Sequence, residues 1–300
     1  MSLPQGFDKY IAPDTDRLKF LQDYLLTRSV QTSVVSVAGR KHLFVNFPSS
    51  SYNPRFKIKT ILTHYDRVSG SPGANDNSAA NFQIADFAIR LKKAIDLGAV
   101  PNIRIFFTDG EELGEGGVSG QGAFGLAELF KKLGITNDDV YVFDSCGRGQ
   151  VAVLAQAGLS QAQSKNSSFA KKFISLFERT QNLLRTSCQN SWITLPVPYS
   201  DNAGFLALGI PAVAITLLPK EEVSDYQRAL LSDKNLESEV MNCRMDDSAD
   251  KLPRFKYEEK MPVTWRLFHT PYDNALSLTE ESFDVMRKIL DTLAASRTLA

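Results

Sequence analysis

Apolar positions recur along the chain with two different periods. From Ile84 they return at Phe87, Ala88, Leu91 and Ile95, one face of a long helix that closes at Gly98. The same spacing predicts a helix over Asp14 to Leu26, with Asp14 as N-cap and Leu18, Leu21 and Leu25 inward. Two more helices are predicted, Gly122 to Leu133 ended by Gly134, and Ser167 to Leu184 with Phe169, Phe173, Ile174 and Phe177 on its core face. A last helix starts at the capping-box pattern Ser277-Leu278-Thr279-Glu280 and carries Phe283, Met286, Ile289, Leu290 and Leu293 inward. Between the helices stand short apolar runs that read as strands: Ile58 to Thr63, Ile103 to Thr108, Val140 to Asp144, Val151 to Ala155 and Pro211 to Leu217. Ser33 to Val37 and His42 to Phe47 flank a turn containing Gly39-Arg40-Lys41, a hairpin signal.

Strands that alternate with helices predict an α/β fold with helices on both faces of the sheet, and the opening hairpin makes that sheet mixed. No Pro/Gly/Ser linker divides the chain, so residues 1–300 are expected to form a single domain. Lys220 to Met261 is charged and weakly periodic, too long for a plain connection, and is expected to be a lid or an oligomer contact.

Composition narrows the classes. Basic and acidic residues balance at 34 each, which argues against nucleic-acid or membrane-surface partners. No apolar run approaches the ~18 residues of a membrane span. Cys146, Cys188 and Cys243 form no CxxC and no disulfide framework. Together with an N-terminus lacking a signal-peptide pattern, this reads as cytoplasmic, although a chain trimmed of its leader reads the same.

The chemistry-bearing residues fall just beyond predicted strand ends. His64 stands in Thr63-His64-Tyr65-Asp66, and Asp76 in Gly73-Ala74-Asn75-Asp76-Asn77-Ser78 at the mouth of the long helix. Glu111 and Glu112 follow the Ile103–Thr108 run in Asp109-Gly110-Glu111-Glu112-Leu113-Gly114. Asp144 ends the next strand, and His269 lies in Phe268-His269-Thr270-Pro271-Tyr272-Asp273-Asn274. Singly, each has a plain structural reading: a strand-end histidine, a helix cap, an exposed acidic turn. Together they place imidazoles and carboxylates where the loops of open α/β sheets build sites. Oxygen and imidazole donors without cysteine suit zinc, or manganese or cobalt. The three negative charges of Asp76, Glu112 and Asp144 offset most of the four positive charges on two divalent ions.

In this order the motifs His-x-Asp, Gly-Ala-x-Asp-Asn, Glu-Glu-x-Gly, Asp and His-Thr resemble the zinc-dependent aminopeptidases related to bacterial leucyl aminopeptidase and aminopeptidase Y. Glutamate carboxypeptidase II and glutaminyl cyclase are more distant relatives. The resemblance runs from His64 to Asn274. It implies a three-layer αβα sandwich around a mixed, mostly parallel sheet. It implies His64, Asp76, Glu112, Asp144 and His269 as ligands of two zinc ions, with Asp76 bridging, Glu111 as general base and Asp66 orienting His64. It also implies a cis peptide at Asp76-Asn77 and hydrolysis of N-terminal residues from peptides with a free N-terminus. Pro198-Tyr199-Ser200-Asp201-Asn202, with Phe205 and Gly209-Ile210-Pro211, is similar to the family's Ser-Asp-His segment. Asn202 replaces the usual His, and Tyr199 and Asp201 become candidate substrate contacts. Ser78-Ala79 departs mildly from the family's Ser-Gly. The alternative is a glutaminyl cyclase-like enzyme with one zinc, releasing ammonia from N-terminal Gln. Side-chain specificity depends on loops such as Gln189 to Pro198, and a homo-oligomer is compatible with the sequence.

Overall fold

The computed structural model describes residues 3–112, 117–163, 167–241 and 258–300. Eight strands form one sheet: β1 (Thr32–Val37), β2 (Arg40–Val45), β3 (Lys59–His64), β4 (Ile103–Thr108), β5 (Asp139–Phe143), β6 (Val151–Ala155), β7 (Trp192–Leu195) and β8 (Ala212–Leu218). The helices are α1 (Phe7–Tyr10), α2 (Arg17–Leu26), α3 (Ala79–Asp96), α4 (Gly122–Lys132), α5 (Leu159–Gln163), α6 (Ser168–Cys188), α7 (Asn202–Ala207), α8 (Lys220–Ser232), α9 (Leu236–Met241), α10 (Val263–Arg266) and α11 (Glu280–Ala295).

The strands lie in the order β1-β2-β4-β3-β5-β8-β6-β7. β3 runs parallel to both β4 and β5, β5 to β8, and β6 to β7. β1–β2, β2–β4 and β6–β8 are antiparallel. The sheet is mixed, as expected.

Both faces of the central strands are buried, so alternate residues feed two separate cores. Ile61, Ile105, Phe107, Tyr141 and Phe143 join one core with Phe87 and Leu91 of α3, Phe173 of α6 and Leu290 of α11. Leu62, Phe106, Val140 and Val142 face the other, with Leu126 and Phe130 of α4, Phe205 of α7 and Tyr226 of α8. The result is helix layer, sheet, helix layer. Among the described residues, no helix is long and apolar enough to cross a membrane.

The structure moves several boundaries. The N-cap of α2 is Asp16 rather than Asp14, because the Asp16 carboxylate accepts from the Lys19 N–H at 2.9 Å. The hairpin turn is Ala38-Gly39, both at positive φ, and Arg40 and Lys41 already pair with β1. The N-cap of α11 is Thr279 rather than Ser277, so the Ser277–Glu280 capping box does not form: Ser277 closes the preceding turn, where its hydroxyl donates to the Asn274 carbonyl at 2.8 Å. The segment Gln189 to Pro198 contains β7, a four-residue edge strand of half-buried positions ending at buried Leu195, too short to show alternation. The start of the Lys220–Met261 segment belongs to the second core. Val223, Tyr226, Leu236 and Val240 of α8 and α9 are buried in the second core. Within the Lys220–Met261 segment expected to be a lid or oligomer contact, residues 242–257, Cys243 among them, lie outside the described residues.

Candidate metal centre

Three parallel neighbours bring the predicted residues to one edge of the sheet. His64 is the last residue of β3, paired in register with Thr108 at the end of β4. Glu111 and Glu112 follow β4 within four residues, and Asp144 follows β5 directly. Because β3, β4 and β5 are parallel, all their C-terminal ends open on the same side, where connecting loops can converge.

Asp76 enters from the tight turn over Ala74–Ser78 that leads into α3, and the Asp76–Asn77 peptide is cis. Gly73 starts this turn at φ +59, and a Cβ there would lie 2.5 Å from the Asp76 carbonyl oxygen, so a side chain does not fit. The flanking asparagines stitch the turn to the strand ends. Asn77 Nδ2 donates to Thr63 Oγ1 (3.1 Å) and to the Phe143 carbonyl (3.0 Å). Asn75 Nδ2 donates to Ser145 Oγ (2.6 Å), and its Oδ1 accepts from the Gly147 N–H (2.7 Å). His269 comes from the loop after α10 and itself has φ +59, a conformation uncommon outside glycine that clusters at functional sites.

The donor atoms fall into two groups joined by one carboxylate. Asp76 Oδ1 lies 3.2 Å from His64 Nε2, which lies 3.5 Å from Asp144 Oδ1. Asp76 Oδ2 lies 3.4 Å from His269 Nε2, which lies 2.6 Å from Glu112 Oε2. The two oxygens of Asp76 thus face different histidines. His64, Asp76 and Glu112 each offer a ligand atom within 4.8 Å of the others.

Buried carboxylates that the sequence reading placed elsewhere, or did not single out, hold this arrangement. Asp66 lies 3.6 Å from His64 Nδ1, beyond hydrogen-bond reach. Its oxygens instead accept from the backbone N–H groups of Glu111 (3.3 Å) and Glu112 (3.0 Å), fixing the acidic turn. Asp273, fully buried, accepts from the N–H groups of Asn75 (2.8 Å) and Asp76 (3.0 Å). It lies within the His269 motif, but nothing local marks it as a brace for a turn nearly 200 residues away. Gln121 Nε2 donates to Glu111 Oε1 at 3.1 Å. Asp201 is fully buried and accepts from Thr108 Oγ1, while its Oδ1 has no partner. Asn202 is also buried, its Nδ2 without a partner. Tyr199 is 41% exposed, and no hydrogen bond joins it to the cluster among the described residues. Leu113 and Gly114 of the Glu-Glu-x-Gly motif lie outside the described residues.

The electrostatics are those of crowded anions around two imidazoles. Burial lowers the His64 pKa, but Asp144, Asp66 and Asp76 outweigh it and raise it well above the usual value. Burial raises Asp76, yet His269 and His64 hold it far below the carboxylate range. Burial, followed by the Asp76 charge, pushes Glu112 up to about 7. Burial also pushes Glu111 well upward against the pull of His64, with the Glu112 and Asp144 charges adding to it.

The donor set fits a metal. Both His64 nitrogens, His269 Nδ1, Glu112 Oε1 and Asp144 Oδ1 are buried with no hydrogen-bond partner, which native proteins rarely tolerate without a bound group. Tetrahedral zinc with bonds of about 2.0–2.1 Å sets its donors about 3.3 Å apart. The 3.2, 3.4 and 3.5 Å separations match that spacing, while His269 and Glu112 at 2.6 Å stand closer together.

The family model "Peptidase family M28" matches residues 51–294. The LapA aminopeptidase of Legionella pneumophila shares the fold at TM-score 0.61 and 13% identity, covering 97% of this chain and 69% of its own. Porphyromonas gingivalis glutaminyl cyclase gives 0.57 and 14%, covering 96% of this chain and 94% of its own. The Bacillus subtilis zinc aminopeptidase BSAP gives 0.51 and 14%, covering 85% of this chain but 49% of its own. A comparison with curated proteins gives no match.

Proposed function

Because the chain belongs to peptidase family M28, we propose that it is a zinc aminopeptidase that removes N-terminal residues from peptides at a two-ion centre. The observation that carries this reading is the Asp76 carboxylate, with Oδ1 toward His64 and Oδ2 toward His269. In this reading His64 and Asp144 hold one ion, Glu112 and His269 the other, and Asp76 joins them. Manganese or cobalt would suit the same donors. Bound there, zinc supplies Lewis-acid charge for a scissile carbonyl and lowers the pKa of water from 15.7 to about 7.

The chain's own residues supply the rest. Glu111 takes a proton from the attacking water and returns it to the leaving amine. Gln121 aims its carboxylate, and Asp66 fixes its backbone. Burial raises its pKa, the direction that helps a carboxylate both accept and donate a proton. Asp201 and neighbouring carboxylates read the substrate's free α-amine, which confines cleavage to chain ends. Tyr199 donates to the developing oxyanion.

A second reading, a one-zinc glutaminyl cyclase, is favoured by one observation: the P. gingivalis cyclase and this chain cover each other almost end to end. Metal analysis with a screen of aminoacyl-p-nitroanilides and N-terminal Gln peptides separates the two. Two zinc ions with released amino acids support the aminopeptidase. One zinc with ammonia supports the cyclase, and a metal-free protein inert to both substrate sets removes both readings.

A further inference from the structure

At the opposite end of the central strands lies a cavity of about 260 Å³ between β3, β5, α6 and the C-terminal segment. Its eleven lining residues include three cations, Lys59, Arg179 and Arg297, and no carboxylate. Neutral hydrogen-bonding side chains, including Tyr141, Asn182 and Ser296, complete the wall. The cations come from three separate parts of the fold, so packing brings them together rather than a local run of charge.

Their existing partners leave positive charge over. Arg179 donates to both oxygens of Asp139 at 2.7 and 2.8 Å, but its Nε is buried with no partner. Asp139 is already shared with Lys57 at 3.3 Å. Lys59 Nζ donates to the carbonyls of Leu293 (2.8 Å), Ser296 (2.7 Å) and Ala294 (3.4 Å), which are neutral. Among the described residues Arg297 donates only to carbonyls, those of Ala294, Ser296 and Val100. Burial, then the Arg297 charge, pushes the Lys59 pKa down to about 7, as expected of a cation short of counter-charge.

We infer that this cavity is a binding site for a small multivalent oxyanion, a phosphate group. A tetrahedral oxyanion supplies the counter-charge that Lys59 and Arg297, bonded to neutral carbonyls, lack, and charge-assisted hydrogen bonds to guanidinium are strong. The volume admits a free phosphate or the phosphate end of a monoester, and it is too small for a polyanionic chain. The site is remote from the metal centre: Lys59 begins β3, and His64 ends it.

Calorimetric titration of inorganic phosphate into the zinc-loaded protein, against chloride at matched ionic strength, tests the site. Saturable binding is expected, with affinity falling about tenfold or more in Arg297→Gln and again in Lys59→Met. Arg228→Gln, a surface arginine elsewhere, should leave binding unchanged. Circular dichroism confirms that each variant is folded. A parallel titration with glycerol phosphate separates the sources. Equal or tighter binding points to a phosphorylated ligand and weaker binding to the free ion, and either supports the site. No difference between phosphate and chloride would overturn it. So would phosphate binding that survives in both folded variants, which would place the anion at the zinc centre.

Discussion

The two ends of β3, β4 and β5 hold ionisable side chains in opposite ways. At the N-terminal ends each anion is matched by cations of the chain. Asp138 pairs with Arg104 and accepts from Thr60 Oγ1 at 2.6 Å, while Asp139 takes Arg179 and Lys57. At the C-terminal ends Asp76, Glu111, Glu112, Asp144 and Asp201 gather around two imidazoles, and no lysine or arginine among the described residues forms an ion pair with any of them. A carboxylate matched by its own cations, as Asp138 and Asp139 are, is architecture. A buried excess of one sign is what a site for the opposite charge looks like before anything binds.

The largest effect should come from the open end. Glu111→Gln keeps the shape of the side chain but removes the base, so turnover should drop about 10²–10⁴-fold while zinc content stays near normal. Glu112→Gln should instead lose zinc. Turnover assays paired with metal analysis check both, and the contrast breaks if the two variants exchange phenotypes.

The Asp138–Arg104 pair should respond in stability alone. Asp138→Ala strands Arg104 and leaves Thr60 without its acceptor, which should lower the unfolding free energy by about 3–5 kcal/mol. Urea titration measures that loss, and turnover per folded molecule should be unchanged. A fall in zinc content would show that the two ends are not independent.

His42 sharpens the boundary of the open end. It is fully buried beside the acidic turn, and its Nδ1 accepts from the Asp109 N–H at 3.2 Å. Burial pushes its pKa down to about 4. The unfolded chain, titrating near 6.5, binds the proton more readily below that pH. Stability is therefore fully present above pH 6.5 and falls as the pH drops toward 4, by up to about 3 kcal/mol. Urea midpoints of chelator-treated protein across this window should show a slope that flattens in His42→Gln. An equal slope in both proteins would assign the pH dependence to the carboxylate cluster. The smallest effect is local: Asp16→Ala should cost about 1 kcal/mol through its lost cap, with no change in metal or turnover.

What the sequence shows follows from the range of each interaction. Apolar runs and helical periodicity place β3, β4, β5 and α3, because burial on both faces of the strands and one face of the helix is written locally. The candidate ligands are legible because they sit just beyond those elements. Their supports are not. Asp66 could be read only as a partner of the adjacent His64, whereas its bonds go to a turn 45 residues away. Asp273 and Asp201 reach the cluster through contacts across 197 and 93 residues, set by sheet order rather than local pattern. The antiparallel insertion of β6 between β8 and β7 likewise has no local signature, and Asp16 prevails over Asp14 through one hydrogen bond.

The central claim is that Asp76 joins two ions held by different histidines. Zinc stoichiometry by elemental analysis of wild type, His64→Ala, His269→Ala and Asp76→Ala tests it most directly. The account predicts two zinc ions in the wild type, a loss in each histidine variant and the loss of both in Asp76→Ala. One zinc ion in the wild type, retained in full when His64 is removed, would contradict it.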